Sequence, residues 1–465
     1  MACKHISFAA FSSSHLFFFI LFFSLLPLLH QVTSSSATSP SAPAQSSSEV
    51  TLGDGGPSET PTSTYNAKCG CMLPPLDPVI RKSITAISQF KQLITNDPNG
   101  FTKTWTGDEL CFNSETYKGF HCYSPDGSTR LRVGGINFNG FNLDGTHLSL
   151  NGFIDSLPDL AVIHVNSNNF TAGESPLAVS TAALPTLFEL DLSNNKLAGE
   201  FPAALLEATN LTFLDLRYNS LVGPIPDRVF TLDLDALFLN NNGFNGSIPE
   251  TLGKTPAYFL SLANNKLTGP IPKSIGYAAA TLTEILLLNN KLSGCLPYEI
   301  GLLKNVSVFD ASINTLRGPL PQSLGCLKNL KILNLKSNEH YGTVPESLCK
   351  VKGLEELILS GNYFTQIGPE CRLLLEKKVL DVQNNCILDL PNQRSAEECK
   401  RFFVQPRKCP DPRSMLQVPC EIVEVPKMVA EEAVEAVADH RLRPRKSKRK
   451  SSRTYKALNS VHRHH

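Results

Sequence analysis

Leucines and a single asparagine recur along the chain in one fixed order. The stretch SLANNKLTGPIP (261–272) has close variants in DLSNNKLAGEFP (191–202), DLRYNSLVGPIP (215–226) and FLNNNGFNGSIP (238–249). The shared pattern is L-x-x-L-x-L-x-x-N-x-L. Its asparagines stand at Asn168, Asn195, Asn219, Asn242, Asn265, Asn290, Asn314, Asn338, Asn362 and Asn385, 23 to 27 residues apart. A degenerate first copy, VGGINFNGFNL, begins at Val133 and carries Phe141 where the asparagine belongs.

This period and pattern define a leucine-rich repeat. Each coil is predicted to open on a short x-L-x-L-x strand whose leucines point inward. The asparagine then sits where the chain leaves the strand. Its amide carries two donors and an acceptor, so it can satisfy backbone groups that would otherwise be buried unpaired. The later glycine permits a tight turn, and Ile-Pro adds one buried group and a rigid exit. The predicted fold is an α/β solenoid of about 10–11 coils over 131–390, in which each coil leans on its neighbours.

The flanks read differently. The sequence VIRKSITAISQFKQLITN (79–96) spaces Ile80, Ile84, Ile87, Phe90 and Ile94 at helical intervals, and DPNG should stop that helix. It belongs to an entrance cap over 76–130. Residues 37–75 are rich in Ser, Thr and Pro and cannot bury enough surface to fold, so they read as a linker. Ahead of them lie Lys4 and His5, an apolar run from Leu16 to Leu29 and small residues from Ser34. The run is short for a span of roughly 20 residues, and 1–36 reads as a secretory signal. No transmembrane segment is expected in the mature chain.

Thirteen cysteines fit that oxidising route, since Cys3 leaves with the signal and an even number remains. Cys111 and Cys122 flank the entrance beside Trp105 and are expected to pair. Cys349, Cys371, Cys386, Cys399 and Cys409 cluster around an exit cap over 391–420, with Cys349–Cys371 as the expected bond there. The other pairings do not follow from spacing. Four glycosylation sequons begin at Asn169, Asn210, Asn245 and Asn305.

The net charge of +1 conceals an asymmetry. From Arg441 onward there are ten Lys or Arg and no acid, so the first 440 residues hold 33 basic against 42 acidic groups. The tail, 421–465, reads as disordered, and its basic end could hold acidic pectin by counterion-dependent attraction. No nucleic-acid partner is expected of a secreted chain. HRHH (462–465) is no arranged ligand set, and neither metal nor cofactor is expected. The chain lacks G-x-S-x-G, H-E-x-x-H and a phosphate loop, and it reads as a binding protein, not an enzyme.

Longer stretches resemble the repeat domain of plant leucine-rich repeat extensins, from about Leu76 to Pro410. They include FLDLRYNSLVGPIP, LDLDALFLNNNGF, EIGLLKNVSVFDAS, the entrance KTWTGDELC...YKGFHC and the exit NNC...QRSAEEC...C. The G-x-I-P endings are typical of plant extracellular repeats. The chain departs from the family in lacking Ser-Pro-Pro-Pro-Pro blocks after 410, which puts covalent wall anchoring in doubt. The family often has cysteines in two successive G-C-x-P positions; here only Cys295 stands in one, free or paired with Cys326. Cys69 and Cys71 could bridge to each other or link a second chain, consistent with the disulfide-linked dimers the resemblance implies.

On such an array the residues between the strand leucines face the concave side. Four and two residues before each asparagine the chain reads Asp191 and Ser193, Asp215 and Arg217, Phe238 and Asn240, Ser261 and Ala263, Leu286 and Leu288, then Asp310 and Ser312. Six before it stand Glu189, Phe213, Phe259 and Glu284. Acids beside exposed aromatic and aliphatic groups predict a surface for a basic, partly apolar partner. The resemblance implies small basic cysteine-rich peptides of the rapid-alkalinisation-factor type, bound in the cell wall during growth signalling. The alternative is a defence protein of the polygalacturonase-inhibitor type, binding a microbial wall-degrading enzyme.

Overall fold

The computed structural model describes residues 65–66, 71–72, 77–125, 127, 130–171, 184–404 and 409–420. The signal sequence, the basic tail and Cys69 lie outside the described residues, as does the side chain of Cys71. The chain divides into Leu76–Ser447 and a unit made of Met1–Pro75 with Lys448–His465. In the latter, Tyr65–Asn66 pairs antiparallel with Cys71–Met72.

Within the larger unit the repeats stack as predicted. Twelve strands form one sheet. Phe120–Tyr123 runs antiparallel to Arg132–Asn137, and the rest follow in parallel from Val162–His164 to Leu380–Asp381. Register is uniform, so equivalent residues align from coil to coil: Leu190, Leu214, Leu237 and Leu260 stand side by side. These leucines are buried in one continuous core that also takes Leu192, Leu216, Leu239 and Leu262.

The asparagines explain how the turns close. Asn265 Nδ2 donates to Leu239 O in the preceding coil (3.1 Å) and to Leu262 O and Ala263 O in its own. Its Oδ1 accepts from Phe244 N at 3.1 Å. Asn195, Asn219, Asn242, Asn290, Asn314, Asn338, Asn362 and Asn385 repeat this cross-coil bond. The residue before the asparagine takes a positive φ, as at Asn194, Asn241, Asn264 and Asn289. Asparagine tolerates that region better than most residues.

A second sheet was not foreseen. Eight short strands, from Ala198–Gly199 through Gly243–Ser247 and Lys291–Cys295 to Tyr363–Gln366, run in parallel along the N-x-L-x-G segments. The sequence hides them because each strand offers at most one buried side chain, such as Leu221, Phe244, Leu267 or Leu292. The glycines close the strands in left-handed conformations, for example Gly246 at φ 76° and Gly269 at φ 75°. Opposite the first sheet, 3-10 turns such as Glu250–Lys254 and Tyr298–Leu302 each begin after a proline, here Pro249 and Pro297.

His340 occupies the buried position that Leu316 and Phe364 take in the neighbouring coils. It is fully enclosed, its Nδ1 lies 3.1 Å from Gly318 O, and burial pushes its pKa down to about 4. The imidazole is therefore neutral, and its charged form is excluded from the core.

The entrance helix spans Pro78–Gln92 and stops short of the expected Asn96. Thr95 and Asn96 instead donate to Asp144 O at 2.9 and 3.0 Å, so the first coil takes over the backbone bonds that a longer helix would have made. Asp77 caps the helix through Val79 N (2.8 Å) and accepts from Arg132 of the first repeat strand (3.1 Å). Trp105 is buried and donates to Lys118 O at 2.9 Å, with Cys111–Cys122 bonded beside it. Phe141, in place of the first asparagine, stacks on Phe101 at 3.6 Å. An aromatic contact with the cap thus substitutes for the hydrogen bonds.

At the exit Cys349–Cys371 forms as expected, and Cys386 bonds Cys399. Cys295 neither stays free nor meets Cys326. It bonds Cys409, and Cys326 bonds Cys420. The reason is tertiary: after the last coil the chain doubles back along the array. The exit helix, Ala396–Val404, lays Phe402 on Tyr363 at 3.5 Å, and Arg394 covers Tyr363 at 4.3 Å. Gly318, at φ 87°, lies so close to Cys409 and Cys295 that a Cβ there would run into both sulfurs.

Candidate functional site

The uniform register assembles the predicted site residues into three columns on the open side of the twelve-stranded sheet. Val162, Glu189, Phe213, Ala236, Phe259 and Glu284 align in one column, and His164, Asp191, Asp215, Phe238, Ser261, Leu286 and Asp310 in the next. Arg217 and Asn240 follow two residues on. All ten predicted partner-binding residues thus share one face. Glu284, on the strand of Leu286, and Asp310, on the next strand, are set apart from the first acidic cluster by the strands of Phe238 and Ser261.

Exposure is where the expectation fails. Asp215 is 0% and Phe238 7% exposed. Neither is an open contact residue. Asp191, Phe213, Arg217, Asn240, Glu284 and Asp310 are half-buried, as are Leu286 and Leu288. Neighbouring coils bring the side chains of one column close together, and a short side chain between larger ones sinks among them. Phe213 meets Phe238 edge-on at 5.9 Å, and the Arg217 guanidinium lies 5.3 Å from the centre of the Phe238 ring.

This packing controls the charge. Arg217 Nε lies 3.0 Å from Asp215 Oδ2 but is not aligned to donate to it. Burial, then the like charge of Asp191, raises the Asp215 pKa to about 8 against the opposing pull of Arg217. Asp191 Oδ1 accepts from Ser193 N at 2.9 Å and Ser193 Oγ at 2.6 Å. Asp310 repeats that motif with Ser312 and adds Asn334 Nδ2 at 2.9 Å, yet burial outweighs these bonds and its pKa is raised. Burial also raises Glu284.

His164, which sequence reasoning left out of the site, lies 3.0 Å from Glu189 Oε2. Burial disfavours its charge, but the bond and charge of Glu189, with Asp191 behind, outweigh it and raise its pKa. The signal was available: His164 stands four residues before Asn168, the same offset as Asp191 from Asn195.

A pH dependence follows from Asp215. Its folded pKa of about 8 lies above the ordinary aspartate value of 3.8. The folded state therefore holds the proton more tightly. The resulting stabilisation is complete below about pH 4 and is lost as pH rises through about 8. Asp215→Asn should flatten this decline, seen as a smaller difference in urea midpoint between pH 5 and pH 8 than in the parent. Parallel profiles for the two proteins would refute it. His340 acts in the opposite sense, losing stability as pH falls from its normal range toward 4, so the effect must be read as a difference from the parent.

Comparison with known proteins places this architecture. A leucine-rich repeat family model matches residues 186–207, 210–232 and 258–278. The chain is 41% identical over 331 residues to the leucine-rich repeat extensin-like protein 7 of Arabidopsis thaliana, covering 71% of this chain and 73% of that protein. It is 42% identical over 243 residues to extensin-like protein 2 of the same plant, covering 51% of this chain but 29% of that longer protein. The matched stretch of extensin-like protein 1 is 21% of its length, so the chain spans under a third of these two relatives. Among solved structures, a plant ice-binding protein superposes with a TM-score of 0.52 at 24% identity, over 68% of this chain and 98% of that one. It has the same fold.

Proposed function

Because the chain belongs to the plant leucine-rich repeat extensin-like family, we propose that it is a secreted wall protein that works by binding, without catalysis. Its partner is a small basic cysteine-rich peptide of the rapid-alkalinisation-factor type, held on the open face of the twelve-stranded sheet. The observation that carries this reading is the continuity of half-buried Glu189 and Asp191 with Phe213 on one face, above the buried Asp215 and Phe238. Acids attract and orient a cationic peptide, and the aromatic floor gives its apolar residues a place to bury. Asp215 itself is buried and keeps its proton up to about pH 8, so the attraction falls to the acids nearer the surface. The basic end of the tail supports retention on acidic wall polysaccharide.

Calorimetry of the secreted chain against a panel of basic cysteine-rich peptides tests the reading, with a fungal polygalacturonase as the competing partner. Saturable peptide binding that weakens with added salt is expected. Asp191→Asn with Phe213→Ala should cost about 10- to 100-fold in affinity, the scale of one or two well-placed contacts. Peptide heat unchanged by that pair would move the site off this face. Binding of the enzyme alone would establish the defence reading.

A further inference from the structure

The four sequons fall on different sides of the array, and the structure separates them. Asn210 and Asn305 stand at equivalent places, where the chain leaves its 3-10 turn and heads for the next strand. Both are exposed, and each donates back to the preceding coil, to Pro185 O and Ala280 O respectively. Asn329 holds the same place, with the same bond to Lys304 O, but has Lys331 where a sequon needs a hydroxyl. Asn245 lies on the second sheet, flanked by Lys266 and Pro224, exposed, and its amide takes no partner among the described residues. Ser247, the hydroxyl of its sequon, is exposed too.

Asn169 differs. It is half-buried, its backbone N–H donates to Leu143 O at 2.9 Å, and its Nδ2 donates to Asp144 Oδ2 at 2.7 Å. Lys196 Nζ stands 4.0 Å from that same carboxylate. The Nδ2 groups of Asn210 and Asn305 also donate, but from exposed positions; Asn169 is half-buried with its Nδ2 against a carboxylate, so a sugar there competes with Asp144 for space.

We propose that the chain carries N-linked glycans at Asn210, Asn245 and Asn305, that Asn169 stays bare, and that the glycans leave the open face of the twelve-stranded sheet free for the small basic peptide of the functional reading. Two glycans stand on the side of the 3-10 turns. The third stands on the third strand of the eight-stranded sheet, counted from its entrance end. The far end of that sheet is already occupied: Phe402 lies on Tyr363, and Cys409 is bonded to Cys295. None of the four sequons opens on the column that carries Asp191, Asp215 and Phe238. A branched sugar excludes protein from the surface around it, so the open face of the twelve-stranded sheet is the broad surface left for docking.

The inference rests on secretion, the first part of the functional reading. The test is peptide mapping of the full chain secreted from plant cells, after enzymatic release of its N-glycans in heavy-oxygen water. That release converts each glycosylated asparagine to labelled aspartate. Label at 210, 245 and 305 with none at 169 is the expected result. Label at 169 to the extent of the other three, or an unlabelled position among those three, overturns the assignment while leaving secretion intact. A chain that stays inside the cell without any glycan overturns both readings, and the site of accumulation tells the two failures apart.

Discussion

The double variant Cys409→Ser, Cys420→Ser is expected to lose roughly 4–8 kcal/mol of stability, at the typical 2–4 kcal/mol for each crosslink. The bonds it removes close loops of 114 and 94 residues, from Cys295 to Cys409 and from Cys326 to Cys420. Long loops are those whose closure most restricts the unfolded chain. The loss should also be local in kind. Without these bonds the exit helix is held to the array by Phe402 on Tyr363 and Tyr341 and by Cys386–Cys399. Hydrogen exchange should therefore rise first in 396–404 and in the strands Glu339–Thr343 and Tyr363–Gln366. Urea unfolding gives the magnitude. A loss under about 1 kcal/mol, with exchange in those strands unchanged, would mean that the returning segment adds nothing to the stability of the coils.

The second large effect is expected from Asn362→Leu. Leucine matches the size of the surrounding core and removes no apolar surface, so hydrophobic bookkeeping alone predicts little change. The hydrogen bonds predict otherwise. Asn362 is 0% exposed. Its Nδ2 donates to Leu335 O at 2.9 Å and Leu359 O at 3.0 Å, and its Oδ1 accepts from His340 N at 3.0 Å. Leucine leaves those groups buried without partners. Each unsatisfied group costs about 1–3 kcal/mol, and the carbonyls retain some other contacts, so a total of about 3–5 kcal/mol is expected. Coils are stabilised by their neighbours, so the damage should spread to the coils on both sides. Circular dichroism during urea unfolding would then show a broadened transition as well as an earlier one. A variant within about 1 kcal/mol of the parent would show that the ladder is dispensable at this coil.

Much of this was legible in the chain, and the reasons are specific. The ladder asparagines could be found because each does the same job in every coil, and repetition lifts a weak local signal above chance. The inward leucines followed for the same reason. Cys111–Cys122 and Cys349–Cys371 pair partners close in sequence, but so does Cys386–Cys399, which spacing alone did not single out. Cys295–Cys409 was missed because nothing local says that a chain leaving its last coil will turn back. The second sheet was missed because strands with at most one buried side chain carry no period to detect. On the candidate face, the column positions of Asp215 and Phe238 were correct and their exposure was not. Which side of a strand a residue faces is set by the alternation along that strand. How far it sinks depends on the neighbours that stacking places beside it.

By itself, then, the order of leucines, asparagines, glycines and prolines determined the coil, its period, the inward and outward faces and the residues that line each. These are properties of one repeat and its contact with the next copy of itself. Only the tertiary structure decided what depends on parts distant in sequence. It led the exit segment back to Cys295 and Cys326, and it buried Asp215 between Phe213, Phe238 and Arg217 until its proton is held to about pH 8. It also set Asn169 against Asp144 while leaving Asn245 open. Sequence specifies which side chains exist and which way each points. The distance between two of them, and therefore their charge, bonding and exposure, exists only once the coils are stacked.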